Sequence, residues 1–519
     1  MTKRKENLIF FGLAVCLFLY FGLLPYIEHG PFGMHQGAQA DRASIAFNYA
    51  TESMNFFQPR VMENRNMHGI TGMEFPIVAY VSALLYKVFG FSNLFYRLIE
   101  ALLFLAGQFA AWRIAGFFVT KLTHRILLHT LWVSSPILIF YSNNFLPEVP
   151  ALSLSLLAWF QFFRYYYGIE PRKSMLGFAV FSTLAALIKI TYLIPIIALF
   201  GLILMQKRLK MAEFPQKKRF LVFLLIPVLI VPIWYGYARF LTDISYNLHF
   251  LQKINPPESI SEFMENSRYA LNTWIDGVYS RQFIILLLLV WGFTIQRQIK
   301  NLDLLAWISI GLFLGFLSIF ILFNRQFRYH DYYFVSAIPF LFFMMLYIYK
   351  QHLEQRAIFS GVVGIITLVG LFISPVLNAR HTKKQVMATY TKGNYFCQNV
   401  LPNIEDMEVT RAFINREMGT GELIVAFDPS PNTLLYYLGR QGIRLAPDFE
   451  EILSVGIIQS KIDEKSLAKN YIIINQYFEI PEEHYIHSLI EKEPVFQTGE
   501  IWIFKLRKDR FNFYFPKGK

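Results

Sequence analysis

The chain is poor in charge. Of its 519 residues only 16% are Asp, Glu, Lys or Arg, while 55% are hydrophobic. Soluble domains carry roughly 25% charged residues, so an ordinary soluble domain is excluded. Cysteine is nearly absent: Cys16 stands in an apolar run and Cys397 far away in a polar region. That pattern points to neither a disulfide nor a Cys-based metal site. There is no convincing internal repeat, and the C-terminal region lacks a Gly-rich nucleotide fingerprint, so no nucleotide cofactor is expected. Phe and Tyr, by contrast, are abundant at 53 and 29 copies. The net charge of +13 does not point to nucleic acid, because the basic residues lie in short loops between apolar runs.

Several apolar runs approach the roughly 20 residues that a helix needs to cross the hydrocarbon core. Spans are predicted near 7–27, 98–120, 126–142, 149–163, 174–188, 190–206, 220–238, 283–296, 304–323, 332–349 and 357–375, eleven in all. The N-terminal stretch lacks a clear small-x-small cleavage site and reads as an uncleaved first span. The run at 76–90 contains Lys87 and is short for a span; it reads as an interfacial helix. With that assignment the implied cytoplasmic segments hold eighteen Lys and Arg against five acids. The asymmetry predicts a cytoplasmic N-terminus and an outer C-terminus. The predicted fold class is therefore an all-α polytopic membrane domain over 1–375, followed by a small outer α/β domain over 376–519. In that tail "GELIVAFD", "NYIIINQ" and "GEIWIFKL" read as strands, and "TLLYYLGRQG" and "EEHYIHSLIEK" as helices. The large outer loops are 28–97 and 239–282.

Polar residues collect at the outer ends of these spans. Asp41 lies in "HQGAQADRASIAFNY", Glu74 in "GITGMEFPI" and Glu148 in "SNNFLPEVPALSL". Arg325, Arg328, His330, Asp331, Tyr332 and Tyr333 lie in "NRQFRYHDYYFVSAIP", and Lys189 lies in "LIKITYLIP". Ionisable groups at membrane depth are costly and tend to mark a site. A carboxylate there can deprotonate a hydroxyl, and cations can stabilise charge on a phosphate. Each residue also has a plainer reading. Asp41 reads equally as an N-cap of the helix behind it, Glu74 and Glu148 as solvated loop acids, and the Tyr pair as an aromatic belt. "KRLKMAEFPQKKR" reads as a topology determinant and lipid headgroup contact.

The order of these pieces resembles the C-fold (GT-C) membrane glycosyltransferases, in the branch of the protein mannosyltransferases and aminoarabinose transferases, which is glycosyltransferase family 39-like. "DRASIA" fits that group's first outer loop, with Asp41 on the catalytic acid position and Ala43 and Ala46 on the small ones; Arg42 replaces the usual Glu. "EFPIVAYVSALLYKVFG" fits its interfacial helix, with Glu74 and Pro76 matched and Phe75 replacing a Lys. Arg97 opens the next span, "FLPEVPALSL" places Glu148 where the group has Asp, and Lys189 and "RYHDYY" match later basic positions.

The resemblance implies an inverting hexosyl or pentosyl transferase of the bacterial inner membrane. It would move a sugar from a polyprenyl-phosphate-linked donor to a hydroxyl of a protein, lipid or glycan acceptor. Asp41 would be the general base. Lys189, Arg328 and His330 are assigned to the phosphate, with Arg42, Arg97 and Tyr333 as further donor contacts. Glu74 and Glu148, with Asp41, are the candidates to hold a divalent cation (Mg, Mn or Zn). A transporter or flippase for lipid-linked glycans, or a non-enzymatic assembly protein, stands as the alternative.

Overall fold

The computed structural model describes residues 3–64, 66–246, 250, 254, 256–355, 361–392, 404–419, 422–430, 432–447, 450–463, 471–475 and 480–511. The chain divides into two compact units. One comprises Met1–Glu28, Arg97–Gly236 and Gln252–Ala388; the other comprises His29–Tyr96, Tyr237–Leu251 and Thr389–Lys519.

The first unit is helical. Its apolar runs fold into helices because only a helix satisfies every backbone N–H and C=O within one hydrophobic segment. Five described helices are long and apolar enough to cross a membrane: Asn93–Ala115, Lys217–Ser245, Leu304–Leu322, Asp331–Glu354 and Gly364–Thr389. A sixth is added if Ile260–Val278 and Arg281–Arg297, bent by 92°, are one span. The remaining sequence segments are helices that are shorter or more polar. The segment at 126–142 is broken into Leu122–Val133 and Pro136–Tyr141. Pro136 opens the second piece, where its missing N–H costs nothing, and Ser135 Oγ donates to the Val278 carbonyl at 2.6 Å. Ile77–Phe89, which belongs to the second unit, has 13 residues, below spanning length.

Caps and small residues define this bundle. Asp303 caps Leu304–Leu322 by accepting from the Ala306 amide at 2.9 Å, and Ser259 caps Ile260–Val278 by accepting from the Glu262 amide at 3.1 Å. A Cβ on Gly107 would lie 2.7 Å from Ser153, and one on Gly315 would lie 2.3 Å from Ile194. These are close helix approaches of the kind small residues permit in membrane bundles.

The second unit contains a five-stranded sheet. Its strands are β1 (Ile424–Phe427), β2 (Gly442–Leu445), β3 (Tyr471–Asn475), β4 (Phe496–Thr498) and β5 (Ile501–Lys505), in the order β2-β1-β3-β5-β4. β2, β1 and β3 are parallel; β5 is antiparallel to β3 and β4. Val425, Phe427, Ile443, Leu445, Ile472 and Ile474 are buried in its core with Ile458 and Leu506. Continuous apolar strands of this kind are what a parallel sheet covered on both faces requires. "GIRL" and "FQT", left unassigned by the sequence pattern, are strands because the sheet supplies partners on their flanks.

The same unit ties residues 60–64 to this sheet. The Gly442 amide donates to the Met62 carbonyl at 3.1 Å, and the Asn64 amide donates to the Gly442 carbonyl at 2.7 Å. Glu63 and Gly442 form a parallel bridge, and Asn64 Nδ2 donates to Gln441 Oε1 at 2.8 Å. The loop thus adds itself to the exposed edge of β2, which would otherwise present unpaired backbone groups.

Candidate functional site

Asp41 lies within the helix Gln36–Thr51, not at its cap. The residue before that helix is His35, in the left-handed region at φ 55. Gln39 holds the incoming chain by donating to the carbonyls of Phe32 and Met34 at 2.7 and 2.8 Å. Asp41 is only 8% exposed, and its Oδ1 accepts a hydrogen bond from Asn432 Nδ2 at 2.7 Å. Asn432 is fully buried, and its Oδ1 accepts from the Glu63 amide at 2.8 Å.

Arg42 and Glu74 form a pair in the same unit. Arg42 Nε and a terminal guanidinium nitrogen lie 2.8 and 2.7 Å from Glu74 Oε1. The other terminal nitrogen donates to the Ala38 carbonyl at 2.9 Å, and the guanidinium lies 5.3 Å from the Phe250 ring centroid. Phe75 packs edge-on against Phe56 at 5.0 Å. Arg42 is therefore the counter-charge of Glu74.

In the first unit a second cluster forms around Glu148. This residue opens the helix Glu148–Tyr166 behind Pro147. Lys189, extended between the helix Pro171–Ile188 and the turn Ile190–Tyr192, places Nζ 2.5 Å from Glu148 Oε1. The same Nζ lies 5.4 and 5.1 Å from the ring centroids of Tyr332 and Tyr333, within cation–π range. His330 stacks on Tyr332 at 5.1 Å, and Tyr141 donates to Asp331 Oδ1 at 2.6 Å. Glu148 Oε2 is buried without a hydrogen-bond partner among the described residues.

Two of the sequence-named cations have different surroundings. Arg97 is fully buried; it donates to the Asn143 carbonyl and lies 4.7 Å from the Phe145 ring centroid. Arg328 donates to Glu265 and Asn266 at 2.8 and 2.9 Å, on the helix Ile260–Val278. Its neighbour Arg325 pairs with Glu258 and Glu262, and Arg325 holds the Glu262 carboxyl down at about 2. Motif reading thus named Lys189, His330, Asp331, Tyr332 and Tyr333, which the first unit brings together, and did not single out Tyr141 there or Asn432 beside Asp41 in the second unit. Asn432 ends the stretch "DPSPN", which reads as a turn, and nothing in that stretch marks it as a partner of Asp41.

Among the described residues no group of three His, Cys, Asp or Glu comes together as a metal-ligand set. The donor chemistry agrees, because Glu74 is matched by Arg42 and Glu148 by Lys189. Carboxylates already neutralised by a cation do not suit a divalent ion, which takes several unshared oxygen ligands.

No sequence-family profile matches the chain, and no curated protein matches it. Solved structures do. The ArnT of Cupriavidus metallidurans in the apo state aligns over 99% of this chain and 100% of its own, with a TM-score of 0.60 at 11% identity. Its form bound to undecaprenyl phosphate aligns over 97% and 98%, with a TM-score of 0.60 at 10% identity. The Archaeoglobus fulgidus oligosaccharyltransferase in complex with Zn and sulfate aligns over 89% of this chain and 68% of its own, with a TM-score of 0.56 at 11% identity. The chain has the fold of the C-type (GT-C) membrane glycosyltransferases. At these identities the likeness establishes architecture, and function is argued separately.

Proposed function

We propose that this protein is a membrane glycosyltransferase that moves a sugar from a polyprenyl-phosphate-linked donor to an acceptor hydroxyl at the extracytoplasmic face. The observation that carries the reading is the buried carboxylate of Asp41, held by a neutral donor, in a chain that matches a glycosyltransferase fold end to end. Asp41 takes the proton of the acceptor hydroxyl as that oxygen attacks the anomeric carbon. The bond from that carbon to the phosphate oxygen breaks, the configuration inverts, and the polyprenyl phosphate leaves. Charge developing on the leaving phosphate calls for cationic donors. Arg42 holds the Glu74 carboxyl in place, so that Glu74 orients the donor sugar through its hydroxyls. Positioning and cations supply most of the rate, because a charge-matched lipid phosphate leaves readily.

The test uses the purified full chain in lipid nanodiscs. Radiolabelled undecaprenyl-phosphate-linked hexose, pentose and aminopentose are offered with an envelope extract from cells lacking the gene. Wild-type protein transfers label from one of these donors, and Asp41→Asn lowers that transfer by at least ~10²-fold, the scale of lost general-base catalysis, with folding and membrane insertion intact. Full activity in Asp41→Asn, or no turnover of any donor by the wild type, overturns the reading.

A further inference from the structure

We propose that Asn432, in the C-terminal part of the chain, is the positioning residue for Asp41, so that the sheet-bearing region is a working part of the site and not a cover over it. The inference rests on the reading of Asp41 as the base. Its own support is the way Asn432 is held.

The orientation of a side-chain amide is set by its partners. One partner here is the Glu63 backbone amide, which can only donate, so the oxygen of Asn432 must face it. The amide nitrogen is then obliged to face Asp41 Oδ1, and it can only donate. A donor at 2.7 Å fixes the rotamer of the Asp41 carboxylate, and a fixed geometry is what a base needs before the acceptor arrives.

The frame behind Asn432 is rigid. β1 ends at Phe427, and Asp428 closes the turn that follows, its Oδ1 accepting from the Ser430 amide at 2.9 Å and its Oδ2 from the Leu434 amide at 3.0 Å. Arg444 Nε, on β2, donates to the Asp428 carbonyl at 3.0 Å. Asn432 itself stands at the N-cap of Thr433–Leu438. The turn that carries Asn432 is thus tied to β1 and β2, and its amide oxygen to the Glu63 amide of the early loop. The helix bearing Asp41 is approached equally closely: a Cβ on Gly37 would lie 2.9 Å from Ser430 Oγ.

Asn432→Ala removes both hydrogen bonds. Asn432→Asp keeps an oxygen for the Glu63 amide and a favoured N-cap residue, but turns the donor into a second carboxylate facing Asp41. If the amide positions the base, both variants lower kcat by about 10 to 10²-fold, as ~1 Å misplacements do. KM for the turned-over undecaprenyl-phosphate sugar then stays within ~3-fold, because ground-state donor binding is untouched. Rates are taken per folded molecule, with the folded fraction read from the melting curve of each variant, which separates lost positioning from lost structure. Wild-type kcat in Asn432→Ala or Asn432→Asp overturns the proposal, as does a loss that appears in KM alone or follows the folded fraction. If Asp41→Asn is inactive while both Asn432 variants keep wild-type kcat, the base reading stands and this inference alone falls. If Asp41→Asn keeps its activity, both fall.

Discussion

The pairing of Arg42 with Glu74 shows how a single residue changes meaning between sequence and structure. Both side chains are about nine-tenths buried, at 12% and 9% exposure. Removing one partner from such a pair leaves a charge without compensation, at a cost of about 3 kcal/mol. Arg42→Met is thus expected to lower the melting temperature of the purified protein, and Arg42→Met with Glu74→Gln to lower it less than the sum of the singles. Asp428 gives a second prediction. Burial pushes its carboxyl up to about 6 from an ordinary 3.8, outweighing the Ser430 and Leu434 amides and Arg444, which favour the ionised form. The folded chain then binds this proton more tightly than the unfolded chain. Stability accordingly falls as pH rises from about 4 to 6, by on the order of 2 to 3 kcal/mol. Melting temperatures between pH 4 and 7 should show that fall in the wild type, and a flatter profile in Asp428→Asn. At this scale the sequence named Asp41, Glu74, Glu148 and Lys189 by motif order. It was silent on Asn432, because the partners stand 391 positions apart and one sequence carries no signal over that distance.

At the scale of elements, helix existence was legible and helix ends were not. Asp41 invited an N-cap reading because Asp is a favoured cap, yet the helix begins five residues earlier, at Gln36. The segment at 126–142 read as one span because apolarity continues across the Ser134–Pro136 break. Eleven apolar segments were counted, whereas five described helices, or six with the bent pair, have the length and apolarity to cross. Hydropathy reports composition over a window and is blind to where a serine pair and a proline interrupt it. The strands of the tail were read where they were long and apolar, and missed at β2 and β4, where the pattern was short. Gly72 provides the test of packing between elements of the second unit. A Cβ there would lie 1.8 Å from the Ala238 carbonyl oxygen, which is backbone of the helix Lys217–Ser245 and cannot rotate away. Gly72→Ala should therefore reduce folded yield and melting temperature sharply. Gly201→Ala, with nothing within 4 Å of the added atom, should leave both unchanged.

For the whole molecule, the two units meet the same chemical requirement separately: each matches a buried acid with a cation of its own, Glu74 with Arg42 and Glu148 with Lys189. A protein arranged in this way does not need a divalent ion to neutralise those acids. Transfer activity is expected to survive EDTA with less than about a twofold loss, well under the 10 to 100-fold typical when a metal site is disturbed. Charge asymmetry between loops, the one whole-chain property that a sequence displays openly, guided the topology. The tie between residues 60–64 and β2 was not displayed, since edge pairing is made by backbone groups that every sequence shares.

That tie also sets an order of events during synthesis. Residues 29–96 leave the ribosome some 370 positions before Asn432, which receives the Glu63 amide. At about 5 to 20 residues per second, the early loop waits roughly 20 to 70 seconds for the strand and the amide that complete it. A chain cut short before residue 432 would carry Asp41 without its partner and β2 without existence. On the proposed role of Asn432, Asp41 gains its positioning partner only after 391 further residues have been made.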